Sequence, residues 1–374
     1  MGKTVIHFGG GALGRGLVIP MLVDSGYQVI LVDTNEALLK TIRKKMSYTL
    51  DVSDAQENRY RTIPLQDALS SVREEEKLIS LLKQTDTITT SVRRENLKYV
   101  AATLLKAWKD VDTDEKRVIC CENIEHVGSY FQSLLLGNDL TAEQEQRLRH
   151  IRIPDTIVDR ICSSTEDLGV VTGEKFHECS VDRNVLPQTG MEYITSVDDI
   201  GTRFARKRYL MNSYADTVSF FALSKGKKYL YEAASDDGVN ATVAPFLTLL
   251  KNLLNAEYGI AKEELDYWAD CYRRRLANPE IPRELGTVAR NLFPKLSLEE
   301  RFVYPLLRSE KFGVPTDDGL VFLKELIQTA NGLQESPLTP ESLILELEKL
   351  WCGNADGNAI FQKMAGLMKE GPGI

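Results

Sequence analysis

Thr4-Val5-Ile6-His7-Phe8-Gly9-Gly10-Gly11-Ala12-Leu13-Gly14-Arg15-Gly16 stands at the start of the chain, and its reading decides the fold. Thr4 to Phe8 reads as a short buried strand. Gly9, Gly11 and Gly14 then follow the spacing G-x-G-x-x-G. One glycine permits the tight turn, one lets the backbone approach a pyrophosphate, and one allows close helix-strand packing. An amphipathic helix, Leu17 to Ser25, follows, so the amides around Ala12 and Leu13 form a helix N-terminus suited to an anion. A second strand, Gln28 to Val32, ends in Asp33, roughly 20 residues after the glycines, where a carboxylate accepts hydrogen bonds from the adenosine ribose. Thr34 and Asn35 come next, with no arginine, and Asp33 would repel a 2′-phosphate. The unit predicts an NAD-binding Rossmann-type domain.

Working outward, strand and helix patterns alternate. Glu36 to Lys45 reads as a helix, Ser47 to Pro64 as a polar strand-and-turn insertion, and Val72 to Lys83 as a charged helix. The β-branched run Thr87 to Val92 reads as a parallel strand, with Thr90 near its end, beside the glycine loop. Helix Leu97 to Lys109 and strand Arg117 to Cys121 follow, the latter ending in Glu122-Asn123. Strand ends of this kind face the ligand crevice of an open α/β sheet, which makes Thr90 and Asn123 candidate cofactor contacts. Leu140 to His150 reads as a helix, Arg152 to Arg160 as a strand and turn, and Glu178 to Arg183 as a further strand.

Beyond Asp198 the pattern changes to long amphipathic helices, among them Ile200 to Leu223, Ala241 to Tyr258, Lys262 to Leu276 and Leu320 to Thr329. The loop carrying Pro187, Thr189 and Gly190 marks the expected boundary. The expectation is a dinucleotide-binding domain over residues 1–190 and a mainly helical substrate and catalytic domain over 191–374, with a short loose tail after Lys369.

Composition narrows the function classes. The 374 residues suffice for two cores, and 46 basic against 54 acidic side chains give a net charge of −8. General binding to nucleic acid or to an anionic membrane is disfavoured. An anionic small-molecule substrate would need a local basic pocket. The six cysteines lack C-x-x-C spacing and include the adjacent pair Cys120-Cys121, which suits reduced thiols better than a disulfide framework. The first strand starts too early for a signal peptide, no apolar run is long enough to span a membrane, and Ile6 breaks the myristoylation pattern after Met1-Gly2. A cytoplasmic location is expected. His7, His126, His150 and His177 show no metal spacing, so no metal site is predicted, and His7 is expected to pack in a central strand.

Hydride chemistry on an alcohol needs a group that takes the hydroxyl proton and donors that hold the resulting carbonyl oxygen. The first long helix after the boundary carries Lys207-Arg208-Tyr209-Leu210-Met211-Asn212-Ser213-Tyr214-Ala215. Here the chain resembles the polyol-specific long-chain dehydrogenases, in length most those acting on mannitol 1-phosphate. The resemblance also rests on His7-Phe8-Gly9, Cys121-Glu122-Asn123 and Asp155-Thr156-Ile157-Val158-Asp159-Arg160-Ile161. In the last third it continues through Asn278-Pro279, Arg290, Lys295-Leu296-Ser297, Arg301, Pro305 and Gly313-Val314-Pro315. It therefore runs nearly the whole chain.

That family carries K-x-x-x-x-N-x-x-H, which implies Lys207 as general base and Asn212 as a holder of the reacting oxygen. Where the family has histidine, this chain has Ala215. On an ideal α-helix Asn212 would lie about 140° from Lys207, with Ala215 between them. Tyr209 or Tyr214 is then a candidate phenolic donor near the substrate. Asp155 is expected at a strand end near the substrate, and Arg160, Arg290, Lys295 and Arg301 are candidate phosphate-holding residues. The resemblance implies interconversion of a sugar-alcohol phosphate and a ketose phosphate, mannitol 1-phosphate and fructose 6-phosphate. Ala215 keeps two alternatives open: the same chemistry on another polyol or a sugar acid such as a hexuronate, and a non-catalytic NAD-binding sensor. Tyr258 and Lys262 match Y-x-x-x-K of short-chain dehydrogenases but lie in the helical half, a chance match.

Overall fold

The computed structural model describes residues 3–137 and 139–369; Met1-Gly2 and the tail expected after Lys369 lie outside the described residues. The chain separates into two compact units, Met1–Arg203 and Phe204–Ile374. The division falls inside the helix that begins at Ile200, later than the Pro187 to Val197 loop that the sequence suggests. That loop is held in the first unit by Tyr27 Oη donating to the Gly190 carbonyl at 3.1 Å and Arg117 Nη1 to the Thr189 carbonyl at 2.7 Å.

The first unit is built on five parallel strands in the order Asp67–Ser70, Gln28–Asp33, Thr4–Phe8, Thr87–Thr90 and Arg117–Cys120. This is a Rossmann-type sheet, its order reversing direction at the first strand. The register sets Phe8 beside Val32 on one side and Thr90 on the other, so the three strands end at one edge. Both faces are covered, which is why these strands read as nearly continuous apolar runs. Val5, Leu17, Ile19, Leu22 and Leu31 fill one side, and Ile6, Ile88, Leu104, Trp108 and Val118 the other. Each large apolar side chain buried in this way contributes about 1.5–3 kcal/mol.

Two further sheets flank it. Ser47–Val52, Tyr60–Pro64, Val170–Gly173 and Cys162–Ser164 form one, and Thr156–Asp159, Glu178–Asp182 and Thr195–Val197 the other. The polar insertion at 47–64 is thus a hairpin whose partner strand arrives more than a hundred residues later, a pairing no local pattern discloses. The edge strand Asp67–Ser70 and the helix Val127–Leu136 were not expected; the first is too short to show periodicity, and the second begins from a left-handed residue, His126, with no side-chain cap.

The second unit is helical. Asp237–Tyr258, Leu285–Val288 and Asp317–Gly332 pack against Tyr214–Ser224, whose residues are nearly all buried, and Lys262–Leu276 packs on Asp237–Tyr258. Pro340–Trp351 and Ala355–Lys369 close the chain. Between Ile200–Lys207 and Tyr214–Ser224 the backbone is wound as a π-helix over Arg208–Ser213. The glycine loop also leads into π-winding, at Gly14–Val18, before Ile19–Asp24 continues as an α-helix. Among the described residues no helix is long and apolar enough to cross a membrane.

Candidate functional site

In the first unit the glycines occupy three different environments. Gly9 has φ of +107°, a conformation L side chains avoid, and an added Cβ would meet the Ser91 carbonyl oxygen at 2.6 Å. Gly14 is packed against Gly9, Ser91 and His7, where a Cβ would lie 2.6 Å from Ser91 Oγ and 2.7 Å from His7 Nε2. Gly11 is exposed and has nothing within 4 Å of its Cβ position, an open approach to backbone amides. Two glycines therefore serve the loop's own packing and one is left for a ligand. Such a surface fits a pyrophosphate.

Asp33 ends its strand beside this loop. Its Oδ2 accepts the Gly10 N–H at 2.5 Å and its Oδ1 the Asn35 N–H at 2.7 Å. The carboxylate is held in place by two backbone donors, and an ionised carboxylate retains further lone-pair positions for ribose hydroxyls. Gly9, Gly11, Asp33, Val72, Ser91 and Tyr99 are among the residues lining a cavity of about 770 Å³. Val72 and Tyr99 are 72% and 63% exposed there, unsatisfied apolar surface suited to the flat face of an adenine. The sequence reading missed both, since single apolar residues in polar stretches carry no pattern.

The loop rests on buried polar groups. His7 has Thr89 Oγ1 at 2.8 Å on Nδ1, and on Nε2 the Gly9 carbonyl at 2.9 Å and Ser91 Oγ at 3.0 Å; burial pulls its pKa down to about 4, so it is a neutral packed imidazole. Arg15 turns inward, with Nε donating to the Gly10 carbonyl at 2.7 Å and Nη1 to the Leu168 carbonyl at 2.6 Å. Thr90 is buried, and its hydroxyl donates to Glu122 Oε2 at 2.7 Å, while Glu122 Oε1 accepts the Val92 N–H at 2.8 Å. Burial raises the Glu122 carboxyl above its ordinary range. Asn123 is exposed at the same strand end.

Two other residues proposed from sequence hold backbone in this structure. Asp155 Oδ1 accepts the Gly128 N–H at 2.9 Å and its Oδ2 lies 3.4 Å from His126 Nδ1, so it anchors the start of Val127–Leu136. Arg160 donates from Nε to the Glu174 carbonyl and from Nη1 to the Gly16 carbonyl, both at 2.6 Å, joining the glycine-loop helix to the flanking sheet. It borders a separate cavity of about 620 Å³ with Arg61, Lys175 and His177, not the one at the glycine loop.

In the second unit Lys207 is only 8% exposed, which separates it from the ordinary solvated helical lysine. Beside it, the Arg206 guanidinium lies 3.8 Å from the Trp268 ring centroid, and Arg208 donates to the Glu299 carbonyl. The π-winding from Arg208 to Ser213 changes the angular relation expected on an α-helix. A ring closed from i to i+5 stacks residues five apart, so Lys207 and Asn212 come toward one side. Single π turns recur at functional sites. Asn212 is half-buried, and its side-chain amide makes no hydrogen bond to another described residue.

Ala215 is buried one turn on. Tyr209 is buried at 2% exposure, and Tyr214 donates its hydroxyl to Asn240 Oδ1 at 2.6 Å; burial raises both phenols. Tyr214 is thereby a tie between two helices. Asp216, which the sequence reading did not assign, accepts from Lys295 Nζ at 2.9 Å and Arg301 Nη1 at 3.0 Å.

A parallel sheet with a glycine-turn crevice, an acid at the second strand end and a helical second unit define a dinucleotide-dependent oxidoreductase. Residues 3–193 match the mannitol dehydrogenase Rossmann domain, and the chain belongs to that family. It is 28% identical over 381 residues to mannitol-1-phosphate 5-dehydrogenase of Phaeosphaeria nodorum, covering 99% of this chain and 95% of that protein. Among solved structures it is similar to D-sorbitol dehydrogenase in substrate-free form, with a TM-score of 0.77, 15% identity, and 99% and 93% of the two chains covered. It is also similar to Pseudomonas fluorescens mannitol 2-dehydrogenase in complex with NAD and D-mannitol, with a TM-score of 0.69, 15% identity, and 99% and 92% covered. At that identity these two likenesses are of fold.

Proposed function

We propose that the chain interconverts mannitol 1-phosphate and fructose 6-phosphate by hydride transfer, with NAD as cofactor and Lys207 as general base. The observation that carries this reading is the full-length similarity to mannitol-1-phosphate 5-dehydrogenase, joined to a glycine crevice with Asp33 at its edge. NAD, when bound, supplies or accepts the hydride. Gly11 and the amides near Ala12 and Leu13 take the pyrophosphate, Asp33 the ribose hydroxyls, and Thr90 and Asn123 the strand-end side of the crevice. Lys207 accepts the alcohol proton during oxidation and returns it during reduction, and Asn212 donates to the reacting oxygen. Asp155 and Arg160 support this arrangement through the backbone they hold, and Tyr209 and Tyr214 by packing the helix that carries the two reactive residues.

Ala215 favours a second reading, the same chemistry on another polyol or a hexuronate, because the group that would complete the lysine-asparagine set is missing. A spectrophotometric panel following NADH with ketose phosphates, free ketoses and keto acids separates these readings. Fructose 6-phosphate is expected to give the highest kcat/KM. A preference for a free ketose or keto acid would replace the substrate assignment, and tight NADH binding without turnover would make the chain a nucleotide sensor.

A further inference from the structure

Arg93 sits on a backbone that its side chain disfavours. It has φ of +70° and ψ of 156°, a region essentially reserved for glycine. Such a conformation persists only where the surroundings fix the chain from several sides, and here they do. Ser91 donates its N–H to the Phe8 carbonyl at 2.8 Å and its hydroxyl to the Gly9 carbonyl at 3.0 Å, and the Val92 N–H meets Glu122 Oε1 at 2.8 Å. Beyond the turn, Asn96 returns its N–H to the Arg93 carbonyl at 3.1 Å and its Nδ2 to the Val92 carbonyl at 2.7 Å. A glycine would occupy this turn without strain, so the backbone itself gives no reason for an arginine.

The turn lies across the glycine loop from Asp33. In the sheet, Gln28–Asp33 and Thr87–Thr90 flank Thr4–Phe8, so Asp33 ends the strand on one side of Gly9 and Ser91 follows the strand on the other. Arg93 is exposed and lines the same cavity as Gly11 and Asp33. Positive charge is scarce there. Lys106, which also lines the cavity, has Glu75 Oε1 at 2.6 Å from its Nζ. The loop's own arginine, Arg15, spends its donors on the Gly10 and Leu168 carbonyls. The Arg93 guanidinium makes no hydrogen bond or ion pair to another described residue, which leaves its five N–H donors for a ligand.

We infer, on the basis of the NAD site described above, that Arg93 is a cofactor-contacting residue whose guanidinium meets the pyrophosphate from the side of the crevice opposite Asp33. Both phosphates of a pyrophosphate are anionic, and the amides of a helix N-terminus supply only partial positive charge. A planar guanidinium adds a full charge and paired donors that match phosphate oxygens. The strained turn, pinned through Ser91 and Val92, is what presents it. Strain of this kind collects at ligand clamps, where contact with the ligand offsets it.

The test uses the whole protein, with NADH, ADP-ribose and adenosine as probes in fluorescence and calorimetric titrations. In Arg93→Gln the dissociation constants of NADH and ADP-ribose should rise about 10-fold, while that of adenosine, which lacks phosphate, holds. Arg93→Gly should lose the same affinity with a melting temperature at or above the wild-type value, because glycine relieves the positive φ. NADH affinity should also fall with added salt more steeply in the wild type than in Arg93→Gln. NADH binding unchanged in both variants overturns the contact. So does an equal loss for adenosine, which would mean that the arginine shapes the pocket without holding phosphate. A loss confined to NADPH would place Arg93 at a 2′-phosphate and overturns it as well. Failure of the wild type to bind NADH or ADP-ribose would overturn the NAD site itself, a result separate from any effect of the variants.

Discussion

At the residue scale the proposed chemistry rests on a lysine that is only 8% exposed and on an asparagine whose side-chain amide makes no hydrogen bond to another described residue. Lys207→Met removes the proton acceptor and preserves the chain's length, so kcat should fall about 10²- to 10⁴-fold. NADH affinity, read by fluorescence titration, should stay at the wild-type value; a parallel loss of affinity would mean that Lys207 supports structure instead. Ala215→His is expected to raise turnover or shift the preferred substrate in the panel. An unchanged profile would show that this position does not tune the reaction. Asp33→Asn keeps the shape but removes the charge that meets the loop amides and that the proposed ribose contact needs, and should weaken NADH binding about 10- to 100-fold while narrowing the gap to NADPH.

At the element scale the glycine turn and the π-winding are the two devices. The turn's glycines differ in what they serve, and substitution should separate them. Gly14→Ala places a methyl against Ser91 and His7, so overpacking should cost about 1–3 kcal/mol in denaturant unfolding as well as cofactor affinity. Gly11→Ala meets nothing in the protein, so the melting temperature should hold while NADH binding weakens. Equal effects of both substitutions on stability would contradict the division of roles. The π-helix Arg208–Ser213 does the corresponding work in the second unit, turning a five-residue spacing that an α-helix would splay into one shared side.

At the scale of the whole molecule, burial of titratable groups sets the acid response. His7 has a folded-state pKa of about 4 against 6.5 unfolded, so below 6.5 the unfolded chain takes up a proton that the native state refuses. Its contribution is complete above pH 6.5 and is lost as pH falls from 6.5 toward 4, by about 3 kcal/mol in total. Glu122 acts with the opposite sign. Its raised carboxyl keeps its proton longer in the native state, so its burial cost applies at neutral pH and eases on acidification. Urea unfolding of His7→Gln from pH 7 to pH 4 should lose the His7 component of the slope, whatever the variant's absolute stability. A slope equal to wild type would show that His7 titrates normally.

What could be read in advance follows from how local each signal is. The glycine spacing, the strands at Thr4–Phe8 and Gln28–Asp33, and the helix Lys262–Leu276 depend on residues within one or two turns of each other. They were legible because periodicity and φ requirements are written in neighbouring residues. The strand pairing of 47–52 with 170–173, the helix held by Asp155 and the inward turn of Arg15 depend on contacts far apart in sequence. No short pattern reports them. The same limit applied to the reactive helix, where an ideal α-helical wheel separated Lys207 from Asn212.

The sequence by itself determined the Rossmann-type unit that runs from the first glycine turn to Asp33, since both ends of that unit are set by backbone geometry and strand length. Only the tertiary structure decided which polar side chains are free to meet a ligand. It engages Tyr214 in a tie between helices and Asp155 and Arg160 in bonds to backbone, and it pairs Asp216 with Lys295 and Arg301. The physical reason is that a polar group's availability depends on which distant donors and acceptors reach it once water is excluded, and that is settled by packing rather than by order along the chain.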